Sequence, residues 1–105
     1  MKKFFVYITA GSREEAQKIA EHLIEARLAA CVNVLPEMSS VYRWEGKVCR
    51  EREVALIAKT TENKLEDLTA AVKSIHSYDV PCIVALPIEG GYAPFLNWIE
   101  QELPD

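Results

Sequence analysis

The chain predicts a mixed α+β domain in which strands and helices alternate as β-α-β-β-α-β, followed by a closing helix. Two features carry most of that expectation. Extended apolar stretches lie at both ends of the chain and on either side of a turn dipeptide, Glu45-Gly46, while two segments between them space their apolar residues for helices. The first stretch, Phe4 to Ala10, is apolar on both faces, with Phe4, Val6 and Ile8 alternating with Phe5 and Tyr7. That suits a central strand covered on both sides. Ser12, with Glu15 three residues on, has the form of a capping box. The helix it opens gathers Ala16, Ile19, Ala20, Leu23 and Ile24 on one face and leaves Arg13, Glu14, Lys18 and Glu21 on the other.

The run from Ala30 to Thr61 reads as one long β-hairpin, with two extended arms meeting at Glu45-Gly46. Its second arm, Val48 to Thr60, would reach roughly 43 Å at about 3.3 Å per residue. A compact chain of this length has a diameter of roughly 33 Å. The hairpin therefore overshoots its own domain unless it bends or pairs elsewhere. Its outer part carries Val41, Tyr42, Trp44 and Val48 among charges, more apolar surface than one small domain can bury. Strand pairing between copies is the expected remedy, with Tyr42 and Trp44 at the interface.

Asn63, with Glu66 three residues on, is placed to cap a second helix whose apolar face is Leu65, Leu68, Val72 and Ile75. Tyr78-Asp79-Val80-Pro81 ends it. Cys82 to Ile88 is a last strand, and Pro87 within it predicts an edge position. After Glu89-Gly90-Gly91, Pro94 opens a short helix with Phe95, Trp98, Ile99 and Leu103 on one face. This element order is that of the ferredoxin-like fold. Two helices should cover one face of the sheet and leave the other apolar, a second reason to expect contacts between copies.

At 105 residues, half of them hydrophobic, the chain predicts a single domain over residues 1–105 with a real core. Net charge is −4 and the sequence pI about 5.2, with no stripe of Lys and Arg, so nucleic acid is not an expected partner. No apolar run approaches the roughly 20 residues of a membrane span, and no membrane partner is expected. The start of the chain lacks the apolar length of an export signal. The three cysteines, Cys31, Cys49 and Cys82, are an odd number, which favours reduced thiols in the cytoplasm. Nucleophile elbow, phosphate loop, spaced carboxylate pair and CxxC are all missing, which points away from an enzyme and away from a CxxC metallochaperone.

The spaced segments Cys31-Val32-Asn33-Val34-Leu35-Pro36, Ser40 to Lys47, Glu53, Lys59-Thr60-Thr61, His76-Ser77-Tyr78-Asp79-Val80-Pro81 and Phe95 to Ile99 resemble the CutA family of divalent-cation tolerance proteins. The resemblance runs from about Tyr7 to Leu103. It implies a ferredoxin-like subunit, a homotrimer, and a role in tolerance of copper or another divalent metal. In fold and assembly that family is similar to the PII signalling proteins, which offers an alternative: a trimer binding a small anionic ligand in clefts between subunits. Three positions depart from the family pattern. Ser77 stands where proline is usual, Cys82 where glutamate is frequent, and Phe95 where tyrosine is usual. Ile8 and Ile75 occupy positions where some members carry Cys and His.

Among candidate site residues, His76 and Cys82 are the expected metal contacts, since imidazole and thiolate suit copper or zinc. His76 has a competing structural reading, stabilisation by the helix C-terminus. Tyr78 lies between them in sequence. Glu53 and Lys59 share a strand face by alternation, as cleft candidates or as a solvated edge. Cys31 reads as a small buried hydrophobe, and Cys49 shares a side with Tyr42 if Trp44 pairs with Lys47, half exposed and open to a soft-metal contact. In the anion-binding alternative Lys59 is the critical residue.

Overall fold

The computed structural model describes residues 1–104; Asp105, the last residue of the expected domain, lies outside them. The elements are β1 (Lys3–Ala10), α1 (Arg13–Glu25), β2 (Cys31–Val34), β3 (Met38–Trp44), β4 (Lys47–Thr61), α2 (Glu62–Ile75), β5 (Ile83–Pro87) and α3 (Ala93–Glu102). The main sheet is antiparallel, in the order β2-β4-β1-β5, and β3 pairs with the outer half of β4. This is the ferredoxin-like arrangement, with β1 central and β5 at an edge as Pro87 predicted.

Alternation divides the sheet cleanly. Val6, Ile8 and Ala10 of β1 and Val54, Leu56 and Ala58 of β4 join Ala16, Ile19 and Leu23 of α1 and Leu68 and Val72 of α2 in the core. Ile24 and Ile75, expected on those helix faces, are instead more than two-fifths exposed at the helix ends. The opposite face is not left bare as the sequence suggested. There α3 packs against β1 and β4, burying Ile99 and Leu103 and pairing Glu100 with Lys3 at 3.1 Å. Val84 and Leu86 of the edge strand remain half exposed, as do Phe95 and Trp98 of α3.

The first arm of the hairpin is broken. Val34 faces Leu56 and Met38 faces Glu53, so three residues, Leu35 to Glu37, oppose two. This is a bulge, centred on a proline that has no N–H to give to the ladder. Beyond it the β3–β4 ribbon continues in the register expected, Trp44 opposite Lys47 and Tyr42 opposite Cys49. Glu45 (φ 48°) and Gly46 (φ 80°) are both left-handed, as a two-residue hairpin turn of type I′ demands. The molecule measures 44 × 25 × 23 Å, so the ribbon does project beyond the body.

Helix starts were half legible. Ser12 caps α1 by accepting from Glu15 N–H at 3.1 Å, yet the Glu15 carboxylate accepts from Gly11 and from distant Ser77 rather than closing the box on Ser12. For α2 the expected Asn63 cap is displaced. β4 runs directly into the helix, Thr61 is the N-cap residue, and Glu62 N–H bonds to Lys2 C=O at 3.0 Å. The first turn of α2 is thus tied to the chain's N-terminus rather than capped by a local side chain.

Candidate functional site

The corner between α2 and β5 is fastened to β1 and α1 by a short network of polar groups. His76, the C-cap residue of α2, has a side chain wholly removed from solvent. Its Nε2–H donates to the Thr9 carbonyl at 2.7 Å, and its Nδ1 accepts from Tyr78 N–H at 3.1 Å. A carbonyl can only accept and an amide can only donate, so these bonds place a ring proton at Nε2. Both nitrogens are committed within the chain. Glu15 receives Ser77 N–H at 2.8 Å and Ser77 Oγ–H at 3.0 Å. Burial pushes the Glu15 carboxyl up, but the bonds from Ser77 and Gly11 more than offset it and hold the group below its ordinary value. Ser77, where the resembled family usually has proline, thus supplies two donors that proline lacks.

This fastening aims Tyr78 toward Glu53, on the face of the sheet opposite α1 and α2. The His76 and Tyr78 rings lie 4.6 Å apart, and the Tyr78 hydroxyl donates to Glu53 Oε2 at 2.8 Å. Gly11 passes close beneath, where an added Cβ would sit 3.4 Å from the Tyr78 oxygen. Glu53 is only 8% exposed. It stands on β4 just where the ribbon leaves the body, opposite Met38 at the bulge. Burial first, then the bond to and charge of Glu53, push the Tyr78 hydroxyl far above the ordinary tyrosine range.

Tyr78 and Glu53 form the floor of an open cleft of about 560 Å³. Its walls are Tyr42 and Trp44 of β3 and Val80 of the corner. Cys49 and Cys82 supply thiols, and Glu51 and Asp79 further carboxylates. No lysine, arginine or histidine lines it among the described residues. Burial, then the charge of Glu53, push the Cys82 thiol up, so it rests protonated at neutral pH. Burial and Glu51, which bonds its hydroxyl, likewise push Tyr42 up.

Of the residues expected from sequence, the structure brings Glu53, Tyr78, Cys82, Tyr42 and Trp44 to one cleft. His76 sits behind the cleft and holds its wall in place. A metal would reach its ring only after displacing Thr9 or Tyr78. Lys59 is elsewhere: it lies six residues further along β4, where its ammonium bonds to Asn33 Oδ1 and its strand partners are Phe5 and Cys31. Thr9, Glu51 and Asp79 joined the cleft without being singled out for it. Cys49 lines it opposite Tyr42, the side its expected pairing gave it. All three cysteines are free, and among the described residues no three His, Cys, Asp or Glu side chains converge closely enough to hold a metal ion.

A ferredoxin-like domain with a projecting β-ribbon and a cleft at the ribbon's root is the class of protein this geometry defines. The CutA1 divalent ion tolerance protein family model matches residues 4–102, and the chain belongs to that family. It is 50% identical to the divalent-cation tolerance protein CutA of Archaeoglobus fulgidus, over 92% of this chain and 94% of that one. It is 47% identical to the chloroplastic protein CutA of Arabidopsis thaliana, over 91% of this chain and 53% of that one. Its fold superposes with a TM-score of 0.93 on the structure of the periplasmic divalent cation tolerance protein CutA from Archaeoglobus fulgidus, at 46% identity, covering 97% of this chain and 99% of that chain. The family is named for tolerance of divalent ions, not for a reaction. No helix among the described residues is long and apolar enough to cross a membrane.

Proposed function

We propose that this protein is a non-enzymatic homotrimer that serves divalent-metal tolerance by binding the ion, copper or a metal of similar preference, in the cleft at the root of the ribbon. The observation that carries the reading is the lining of that cleft: two thiols and three carboxylates with no cationic side chain among the described residues. Thiolate and carboxylate together attract a divalent cation and repel an anion. The same lining weighs against the alternative, a trimer that senses a small anion. That reading needs a free cation in the cleft: one chain supplies none among the described residues, Lys59 being bonded to Asn33 some distance along β4, and an arginine entering from a second copy would be spent on a carboxylate.

Cys82 is the principal metal contact in this proposal, with Cys49 as its nearest chemical complement in the lining. His76 joins only if the ion displaces one of its two internal bonds. A single chain gathers too few converging donors for a tight site, so the remaining ligands come from a second copy. The three free thiols support a reducing compartment, the cytoplasm.

Calorimetric titration with Cu(II) and Zn(II) tests the proposal. Saturable binding is expected, weakened about tenfold or more by Cys82→Ser. Because the Cys82 proton must leave, affinity should rise between pH 6 and 8. Binding that Cys82→Ser and His76→Ala both leave intact would place the metal elsewhere. No saturable binding at all would refute the metal reading.

A further inference from the structure

The ribbon built by β3 and the outer half of β4 has two faces of opposite character. Alternation puts Tyr42, Trp44, Cys49, Glu51 and Glu53 on the cleft side. Lys47, beside the turn, is the one basic residue on that side. The reverse side carries Arg43, Arg50 and Arg52 with Val48 between them. On the cleft side Glu53 is more than nine-tenths buried, and its bond within the chain comes from a neutral hydroxyl, that of Tyr78. Neither Glu53 nor Glu51 forms an ion pair among the described residues. A buried carboxylate without a counter-charge is costly, and native folds rarely keep one unpaired. On the reverse side Arg52 is paired with Glu37 at 3.0 Å, and Arg43 reaches the Gly46 carbonyl at 3.5 Å. Arg50 is exposed and has no such partner among the described residues.

We propose that the cleft is completed by a second copy of this chain, whose Arg50 guanidinium enters between Tyr42 and Trp44 and pairs with Glu53. A guanidinium suits this place better than an ammonium would. It stacks on aromatic faces, is more weakly hydrated, and offers several donors to a carboxylate that has one oxygen already bonded. The pairing also fixes the kind of symmetry. A twofold contact that used either ribbon face alone would set carboxylates on carboxylates or arginines on arginines. Basic face on acidic face is a head-to-tail contact, the kind that closes into a ring when the rotation between copies is a third of a turn. The inference rests on the trimer proposed above and names what locks it. It also assigns Glu53 to the neighbouring chain and leaves Cys82 and Cys49 to a metal.

Sedimentation equilibrium of the full chain is the test, run on wild type, Arg50→Gln, Glu53→Gln and the double variant, with circular dichroism to confirm that each chain is folded. Each single change should weaken assembly at least about tenfold, and the double change should weaken it no more than the worse single change, because both remove the same pair. The charge swap Arg50→Glu with Glu53→Arg in one chain should restore assembly that either reversal alone abolishes. Additive losses, or a swap that fails to restore a folded chain to the ring, would overturn the pairing while leaving the trimer standing. Wild type that sediments as a monomer would overturn both. Assembly untouched by Glu53→Gln, together with loss of metal binding in that variant, would give Glu53 to the metal instead.

Discussion

Tyr78 shows how much one hydroxyl can organise. Among the described residues it is the sole hydrogen-bond donor to the buried Glu53 carboxylate, and its own backbone N–H fixes the His76 ring. Tyr78→Phe should cost about 1–3 kcal/mol, the penalty for stripping a buried charged acceptor of its donor. Chemical denaturation at neutral pH would measure it. The same bond has a pH signature. Because the folded protein raises the Tyr78 pKa above its ordinary 10.0, the stabilisation is complete below about pH 10 and declines as pH rises past that value. Tyr78→Phe should lack that part of the alkaline decline, and an identical decline in wild type and variant would show that the bond is not made in solution. At this scale the sequence placed Glu53, Tyr78 and Cys82 as neighbours of one expected cleft and gave His76 two readings, a metal contact and a residue stabilised at a helix C-terminus; the structure has it as the C-cap of α2. Imidazole suggested a ligand, whereas the nearby Thr9 carbonyl, distant in sequence, turned the ring inward. Lys59 shares a strand face with Glu53, but six residues of strand carry it roughly 20 Å away.

The ribbon is the element on which the site depends, and its turn was written plainly in Glu45-Gly46. Gly46 sits at φ 80° with nothing within 4 Å of where an added Cβ would stand, so Gly46→Ala isolates the backbone cost of a left-handed residue. It should destabilise the fold by about 1 kcal/mol. Glu45, also left-handed, is the weaker choice there, and Glu45→Asn should stabilise by a few tenths of a kcal/mol, roughly the αL preference of Asn. Thermal melts of the two variants should move in opposite directions; shifts of the same sign would show that side-chain contacts at the tip outweigh the turn. The bulge at Leu35 to Glu37 was less legible. Pro36 lay in view, but a proline says only that one ladder bond is lost, not that the arm takes an extra residue and bends. The start of α2 was misread because Asn63 is a better cap by chemistry than Thr61. The bond from Glu62 to Lys2 C=O, which settles the matter, joins opposite ends of the chain.

For the whole molecule, the hairpin-length argument meets a long axis of 44 Å, ribbon included, and a ribbon that leaves Trp44 44% exposed. Such a surface calls for a partner. Under the proposed assembly, sedimentation should give one species of three times the chain mass. Trp44→Ala should weaken that species by roughly 3 kcal/mol or more if the ring is fully buried between copies. Unchanged trimer stability would leave Trp44 as an ordinary surface aromatic.

By itself the sequence determined the order of elements, the edge position of β5, the ribbon and its turn, and the apolar stripes of the helices. These follow from periodicity and turn chemistry, which act over a few residues. Only the tertiary structure decided that α3 would cover part of the second sheet face, that Ser77 and Glu15 would clamp the corner after α2, and that a buried glutamate would meet a tyrosine and two thiols in an acidic cleft. Those depend on contacts between residues far apart in the chain, where no local spacing constrains which side chains meet. The opposed charges of the two ribbon faces lie between these cases. Alternation writes them into the sequence, but they acquire meaning only once the bulge and the register fix which face looks into the cleft.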